Sequence, residues 1–246
     1  MFFQIKKLIF EIMRIILISD THGLHQHMKL PKGDVLIHAG DCTNRGTQSD
    51  LIGFLYWFQN IKGFDTKIFI AGNHDWCFEN KPDWLPQFIN DENLTQSDCY
   101  YLEDNFMTID DPKFSRPIKI YGTPWQPDFC NWAFNVPRDQ LYKHWEKIPL
   151  DTDILITHAP PQEILDLTLG GEEVGCSSLR YYIDEKIKPV LNVFGHIHEA
   201  YGSMVKGETL FVNGSTCTRR YVPSNKPIII KLTESKGKFK AKILKK

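Results

Sequence analysis

The sequence predicts an α/β fold in which two mixed β-sheets pack as a sandwich flanked by helices. Three observations predict it. Five short, continuous aliphatic runs recur along the chain, each ending in Gly, Asp, Asn or His. Segments with apolar residues at helical spacing lie between them, and strands alternating with helices mark α/β architecture. Two late apolar runs then follow one another with no helix between, which adds a second, mixed sheet.

In chain order, the strand-like runs are IILISDTHG (15–23), DVLIHAGD (34–41), KIFIAGNHD (67–75), DILITHAPP (153–161) and LNVFGHIHEA (191–200). They are continuous rather than alternating, as expected of strands covered on both faces. Leu51, Phe54, Leu55, Phe58 and Ile61 share one helical face, and Leu179, Tyr182, Ile183 and Ile187 share another before Pro189. A third helix is expected from about Pro137 to Lys147. ETLFVNGST and KPIIIKLTES are the late strands. Region 100–135, rich in aromatics and containing YGTPWQPDFCNWAFNVP, reads as one long structured loop, and such loops are usually functional.

The chain has 246 residues, 42% hydrophobic and 24% charged, with a net charge of −1. That composition suits a soluble globular protein, and no global basic field argues for long nucleic acid. One domain is expected over residues 13–246, with residues 1–12 as an N-terminal extension that is too interrupted to span a bilayer. No membrane association is expected, although a membrane-surface role for that extension is an open reading. The lysine-rich end, SKGKFKAKILKK, reads as a solvated tail. The six cysteines form no CxxC pair, which fits a reduced, cytoplasmic protein. The glycosylation patterns at Asn93 and Asn213 carry little weight without a secretory signal.

Ligands in open α/β sheets sit beyond the carboxyl ends of strands, and all five runs deliver polar groups there. Asp20 and His22, two apart in extended chain, can approach one ion together, and His196 and His198 repeat the spacing. Asp41, Asn73 and His158 add three single ligands. Three oxygen-type donors and four imidazoles, with no thiolate, suit manganese, iron, zinc or similar ions. Seven ligands exceed one ion and suit two bridged by a carboxylate. Two ions about 3.5–4 Å apart are the usual apparatus of phosphoester hydrolysis. His38 and His144, standing alone, read as structural or exposed.

These residues resemble the calcineurin-like metallophosphoesterase superfamily. The resemblance lies in Asp20-Thr-His22, Gly40-Asp41-Cys-Thr-Asn44-Arg45, Gly72-Asn73-His74-Asp75, Thr157-His158 and Gly195-His196-Ile-His198. It covers about residues 14–232. DVLIHAGD, IAGNHD, YGTPWQP, DILITHAPP and VFGHIHEAYG, with the Cys217–Pro227 segment, are similar to its brain-type metallophosphoesterase-domain-containing group, whose relatives include class III cyclic nucleotide phosphodiesterases. The resemblance implies a four-layer αββα sandwich. It implies that Asp20, His22 and His198 hold a first metal, that Asn73, His158 and His196 hold a second, and that Asp41 bridges them. Asn44 departs from the family pattern, which has Asp there, often paired with the His of the Asn-His motif. An Asn cannot stabilise an imidazolium by charge, so an acid role for His74 would lean on Asp75 or the metals.

The expected enzyme is a dinuclear-metal phosphodiesterase acting on small nucleotide diesters, with 3′,5′- or 2′,3′-cyclic nucleotides foremost. Two divalent ions are expected, manganese first, with iron, zinc, magnesium or cobalt as alternatives. A metal-bridging hydroxide would attack phosphorus in line with the leaving oxygen. Arg45 would clamp phosphate, its alternative being a surface ion pair. His74, supported by Asp75, would orient phosphate or protonate the leaving oxygen. Trp125, Phe129, Trp132 and Phe134 would either stack a nucleobase or pack the loop onto the core. The other readings are a phosphomonoesterase or protein phosphatase, a nuclease, and a non-catalytic scaffold with structural metal. The partner expected is a small phosphoester, and an oligomer is left open.

Overall fold

The computed structural model describes residues 12–83 and 98–244. Residues 1–11 of the expected extension and Asn93 lie outside the described residues. The strands are β1 (Ile12–Ile18), β2 (Val35–Ala39), β3 (Thr66–Ile70), β4 (Cys99–Tyr101), β5 (Asn105–Ile109), β6 (Ile118–Thr123), β7 (Gln126–Pro127), β8 (Asn135–Val136), β9 (Ile154–Thr157), β10 (Leu191–Phe194), β11 (Gly202–Lys206), β12 (Thr209–Asn213), β13 (Ile228–Ser235) and β14 (Lys238–Ile243). The helices are α1 (Gln48–Asn60), α2 (Trp76–Asn80), α3 (Tyr142–Trp145) and α4 (Ser177–Tyr181).

One sheet runs β14-β13-β1-β2-β3-β4 and the other β11-β12-β10-β9-β6-β5. In the first sheet β1 to β4 are parallel, and β13 and β14 add antiparallel pairings. In the second, β6, β9, β10 and β12 are parallel and the edges β5 and β11 are antiparallel. The expected mixed two-sheet α/β sandwich is therefore what forms.

Period-two alternation explains the continuous aliphatic runs. Ile15, Leu17, Ile37 and Ile68 face the second sheet, where they meet Ile120, Ile154, Ile156, Val193 and Val212. Their neighbours Ile16, Ile18, Leu36 and Phe69 face outward onto Leu51, Phe54, Leu55 and Phe58 of α1. Thr47 starts α1, its Oγ1 accepting from the Asp50 amide at 3.2 Å. On the far side Leu155, Phe194 and Phe211 pack on Trp145, Leu179 and Ile183. The layers thus run helix, sheet, sheet, helix. No helix among the described residues is long and apolar enough to cross a membrane.

Several elements differ from the sequence reading. Region 100–135 is not one loop: it holds the end of β4, the antiparallel β5–β6 pair and the short β7–β8 pair, with irregular segments between them. The lysine-rich end is not a free tail. It forms β14, with Phe239 4% exposed in the layer between the sheets. The lysines conceal a half-buried strand because their alternation leaves one face apolar. The helix expected over Pro137–Lys147 shrinks to α3, flanked by turns. Beyond α4 the chain continues as a π-helical turn over Tyr182–Ile187 and stops at a left-handed Lys188, just before Pro189. Asn213 is fully buried, its amide donating to the Ile197 carbonyl at 2.8 Å.

Candidate metal centre

Each parallel strand that carries a ligand motif ends at the same edge of the sandwich. A parallel bridge between Ser19 and Ser215 joins the two sheets there. Beyond β1 come Asp20 and His22, beyond β2 Asp41, beyond β3 Asn73 and His74, beyond β9 His158, and beyond β10 His196 and His198. All except the half-buried His196 and His198 are buried. The seven metal-ligand candidates converge on one place.

The convergence is not achieved by extended i, i+2 geometry. Asp20, His22, Asp41 and His196 sit in the left-handed region, with φ of 51°, 45°, 55° and 68°. Side chains other than Gly pay for that conformation, and such residues cluster at functional sites. The kinks turn the chain at the strand end and fold each ligand back over the sheet edge. Glycines make room for this. A Cβ on Gly195 would fall onto the Asp20 carboxylate and the Ser19 hydroxyl, and one on Gly72 onto Asp41 and the His158 ring.

Asp41 occupies the middle. Its Oδ2 lies 3.8 Å from His22 Nε2, and its Oδ1 lies 3.4 Å from His158 Nε2. On the His22 side, His22 Nε2 and His198 Nε2 are 3.2 Å apart, and His198 Nε2 is 3.3 Å from Asp20 Oδ1. On the other side, Asn73 Oδ1 is 3.0 Å from His158 Nε2 and 2.8 Å from His196 Nδ1. Asp20, His22 and His198 form one three-donor group, and Asp20, Asp41 and His158 form another. His22, Asp41 and His74 form a third, which adds His74 to the residues within reach of a cation.

The supporting shell fixes which atoms face inward. His158 Nδ1 bonds the Ala39 carbonyl at 2.9 Å and His198 Nδ1 the Thr218 carbonyl at 3.0 Å. With Nδ1 the donor in each, both Nε2 atoms face the centre, free to ligate once the rings are neutral. Asp20 accepts from the His196 amide at 3.0 Å and from Ser215 Oγ at 2.9 Å. Asp75, fully buried, accepts from the Gly72 and Thr43 amides at 2.9 Å each and from Thr43 Oγ1 at 2.7 Å. It fastens the Asp41 loop to the Asn73 loop and contributes no donor to the centre. His74 Nδ1 lies 2.8 Å from the Asn44 backbone carbonyl. The Asn44 side chain, whose identity departs from the family pattern, is exposed.

The electrostatics fit a cation. Burial disfavours charge on His22 and His196 and pushes them down to about 4 and about 3. Burial also opposes protonation of His158 and His198, but Asp41 and Asp20 overcome it and lift both to about 9. In the bare protein, protons on these two rings balance the carboxylates. Divalent ions would replace those protons, and the set of carboxylate, amide and imidazole donors matches them.

Over the ligands lies a pocket of about 190 Å³ that includes His74, Trp132, His196, Arg219 and Tyr221. A neighbouring one adds His22, Asn44 and Arg45. Arg45 is exposed and makes no ion pair among the described residues, so the surface-pair alternative finds no partner here. The four loop aromatics divide. Phe134 is 1% exposed in the core, and Trp125 donates from Nε1 to Asp104 at 3.1 Å with its ring tilted against His144. Trp132 instead stacks on His74 with ring centroids 4.2 Å apart, and Phe129 is 60% exposed at the pocket. His38 is buried against Phe54 and bonded to Thr21 Oγ1, a structural placement. Sequence reading missed Arg219 and Tyr221. Tyr221 sets its ring edge-on to His22 at 4.7 Å. The Cys217–Pro227 segment that carries them has no polar motif of its own, and only its place beyond β12 brings it to the centre.

Comparison with known proteins agrees with this geometry. The family model of calcineurin-like phosphoesterases matches residues 13–200. The human "Metallophosphoesterase domain-containing protein 1" is 41% identical over 237 residues, 89% of this chain and 71% of that protein. A UPF0046 protein of Caenorhabditis elegans is 34% identical over 224 residues, 88% of this chain and 74% of that protein. Among solved structures, a 5′-nucleotidase from Candida albicans superposes with a TM-score of 0.56 at 14% identity, over 94% of this chain and 51% of that one. A 5′-nucleotidase precursor from Thermus thermophilus gives 0.54 at 13% identity, over 95% and 54%. The likeness to these two is one of fold.

Proposed function

The chain belongs to the calcineurin-like phosphoesterase family and is a phosphoester hydrolase, and from that premise we propose that it is a two-metal phosphodiesterase of small nucleotides, cyclic nucleotides foremost. The observation that carries the reading is the position of Asp41, whose two oxygens face His22 on one side and His158 on the other. A carboxylate so placed could be shared by two ions. Asp20, His22 and His198 would complete the first site, and Asn73, His158 and His196 the second. Two divalent ions, manganese by preference, would neutralise the phosphoryl oxygens and bring the pKa of a water toward neutrality.

The chain's own residues supply the rest. Arg45 reaches a phosphoryl oxygen from the open side with a guanidinium matched to phosphate. His74 keeps Nδ1 on the Asn44 carbonyl and presents Nε2 toward the pocket, where it passes a proton to the leaving oxygen. Trp132 holds that ring in place by stacking. Asp75 acts as a positioning residue, because its carboxylate is occupied by the loop that carries Asp41 and Thr43.

The experiment is turnover of the manganese-loaded protein on bis-p-nitrophenyl phosphate, p-nitrophenyl phosphate, and 3′,5′- and 2′,3′-cyclic nucleotides. The reading expects the diesters to lead, and His22→Ala to abolish the metal-dependent rate. A phosphomonoesterase is the second reading, favoured by two exposed guanidiniums, Arg45 and Arg219, in adjoining pockets. Monoesters turned over faster than every diester would establish it instead.

A further inference from the structure

Beside the metal centre lies a cavity of about 390 Å³, large enough for a nucleoside. It shares Phe129, His196, Glu199 and Arg219 with the pocket over the ligands, so the two form one depression. A group esterified to a phosphate at the metal ligands would therefore have this cavity beside it.

Its two walls differ in kind. One is the loop between β7 and β8, which presents the exposed ring of Phe129. The other is the loop from Pro161 to Cys176, closed by bridges between Pro161 and Cys176 and between Leu167 and Glu173. The buried Asp166 ties that loop internally, accepting from the Glu163 and Gly175 amides at 3.0 and 2.9 Å. Its tip is fastened by the Leu169 amide donating to Glu199 at 3.0 Å. The wall is therefore preformed, and Glu172, which is exposed, is one of the residues that line the cavity from it.

The charges say what the cavity accepts. Arg138 is engaged with the carbonyls of Gly175 and Val174 at 2.7 and 2.8 Å. Arg219 stands at the junction with the metal pocket, where a diester phosphate would lie. The groups that line this cavity and not that pocket include the carboxylates of Asp128 and Glu172. A second phosphate is disfavoured there. A flat, uncharged group that stacks on one face and donates hydrogen bonds from one edge is favoured. Among nucleobases, guanine presents two parallel N–H donors, N1–H and the 2-amino group, which match one carboxylate. The geometry points to this cavity as a guanine-preferring base pocket, with Phe129 stacking the base and Glu172 reading its edge. The assignment rests on the diesterase reading for its place in the reaction, while binding tests it separately.

The test is calorimetric titration of the full, metal-loaded chain with guanosine, inosine, adenosine and uridine. Inosine lacks only the 2-amino group, so guanosine should bind about tenfold more tightly. Phe129→Ala should weaken every nucleoside, and Glu172→Gln should erase the preference for guanosine over inosine. Both side chains are exposed, and thermal denaturation verifies that the variants fold; Glu172→Ala is the second variant at that position. Equal affinity for guanosine and inosine, absence of guanosine binding at millimolar concentration, or an unaltered preference in both Glu172 variants overturns the assignment. Turnover of bis-p-nitrophenyl phosphate by a protein that ignores guanosine overturns the base pocket and leaves the diesterase reading. Selective guanosine binding without diester turnover does the reverse.

Discussion

Asp41 is a single carboxylate set between two imidazoles, so its replacement tests whether the two halves of the centre depend on one another. Asp41→Asn keeps the shape and removes the charge. The expected loss of turnover on bis-p-nitrophenyl phosphate is at least about a thousandfold, equivalent to several kcal/mol of charge stabilisation. Metal content by mass spectrometry should fall with it, and an undiminished rate in a metal-replete variant would refute the bridging role. Asn44 calls for the opposite expectation. His74 is held by the backbone carbonyl at position 44, not by the side chain. Asn44→Ala should therefore keep turnover within about threefold of the parent, measured with the same substrate. All seven candidate ligands were legible in the sequence because each stands in a short motif at the end of an aliphatic run. Asp75 was legible as a motif residue but not as a positioning one, since its partners, Cys42, Thr43 and Gly72, come from two separate loops. Arg219 and Tyr221 were illegible because nothing local distinguishes them from ordinary surface residues.

Elements were read well where a strand is an unbroken aliphatic run and poorly where prolines and glycine interrupt it or one face meets solvent. β1, β2, β3, β9 and β10 are buried on both sides, so their aliphatic runs are unbroken. The exposed edge strand β5 was absorbed into the expected 100–135 loop, and so was the buried β6, whose short run lies between Pro117 and Pro124 and contains Gly122; the exposed edge strand β11 was assigned to no element. β14 is the plainest case, because its lysines suggested a tail while Phe239 anchors it between the sheets. That ring packs edge-on to Phe114 at 5.3 Å and lies beneath the Arg116 guanidinium at 4.4 Å. Phe239→Ala should lower unfolding stability by about 3 kcal/mol in urea denaturation, as for a buried aromatic. A solvated tail would lose no more than about 0.5 kcal/mol, and that result would displace β14 from the core. The local cause of the site's shape was likewise hidden, because no pattern of residue types announces that Asp20, His22, Asp41 and His196 adopt left-handed backbone.

At the scale of the molecule, the candidate centre is where the two sheets are tied together. Asp20, His22, Asp41 and Asn73 come from one sheet, and His158, His196 and His198 from the other. Cations held among them cross-link the halves of the sandwich, so binding should stabilise the fold by mass action. Proton linkage sets how that stabilisation varies with pH. His158 and His198 are lifted in the bare protein to about 9 from 6.5. Their contribution to stability is complete below pH 6.5 and is lost as pH rises through 9. His22 and His196, lowered to about 4 and about 3, contribute stability that is present above pH 6.5 and lost only as pH falls through those values. Between pH 6.5 and 9, then, His158 and His198 govern the slope, and their contribution to the metal-free protein weakens. Metal binding needs the same two rings deprotonated, so it should release about two protons at pH 7 and strengthen over that window. The difference in melting temperature between manganese-loaded and chelator-treated protein should accordingly widen from pH 6.5 to 9. Calorimetric binding heats should vary with the ionisation enthalpy of the buffer in proportion to the protons released. A melting difference that shrinks with rising pH, or heats indifferent to the buffer, would mean that the ions settle somewhere other than between His158 and His198.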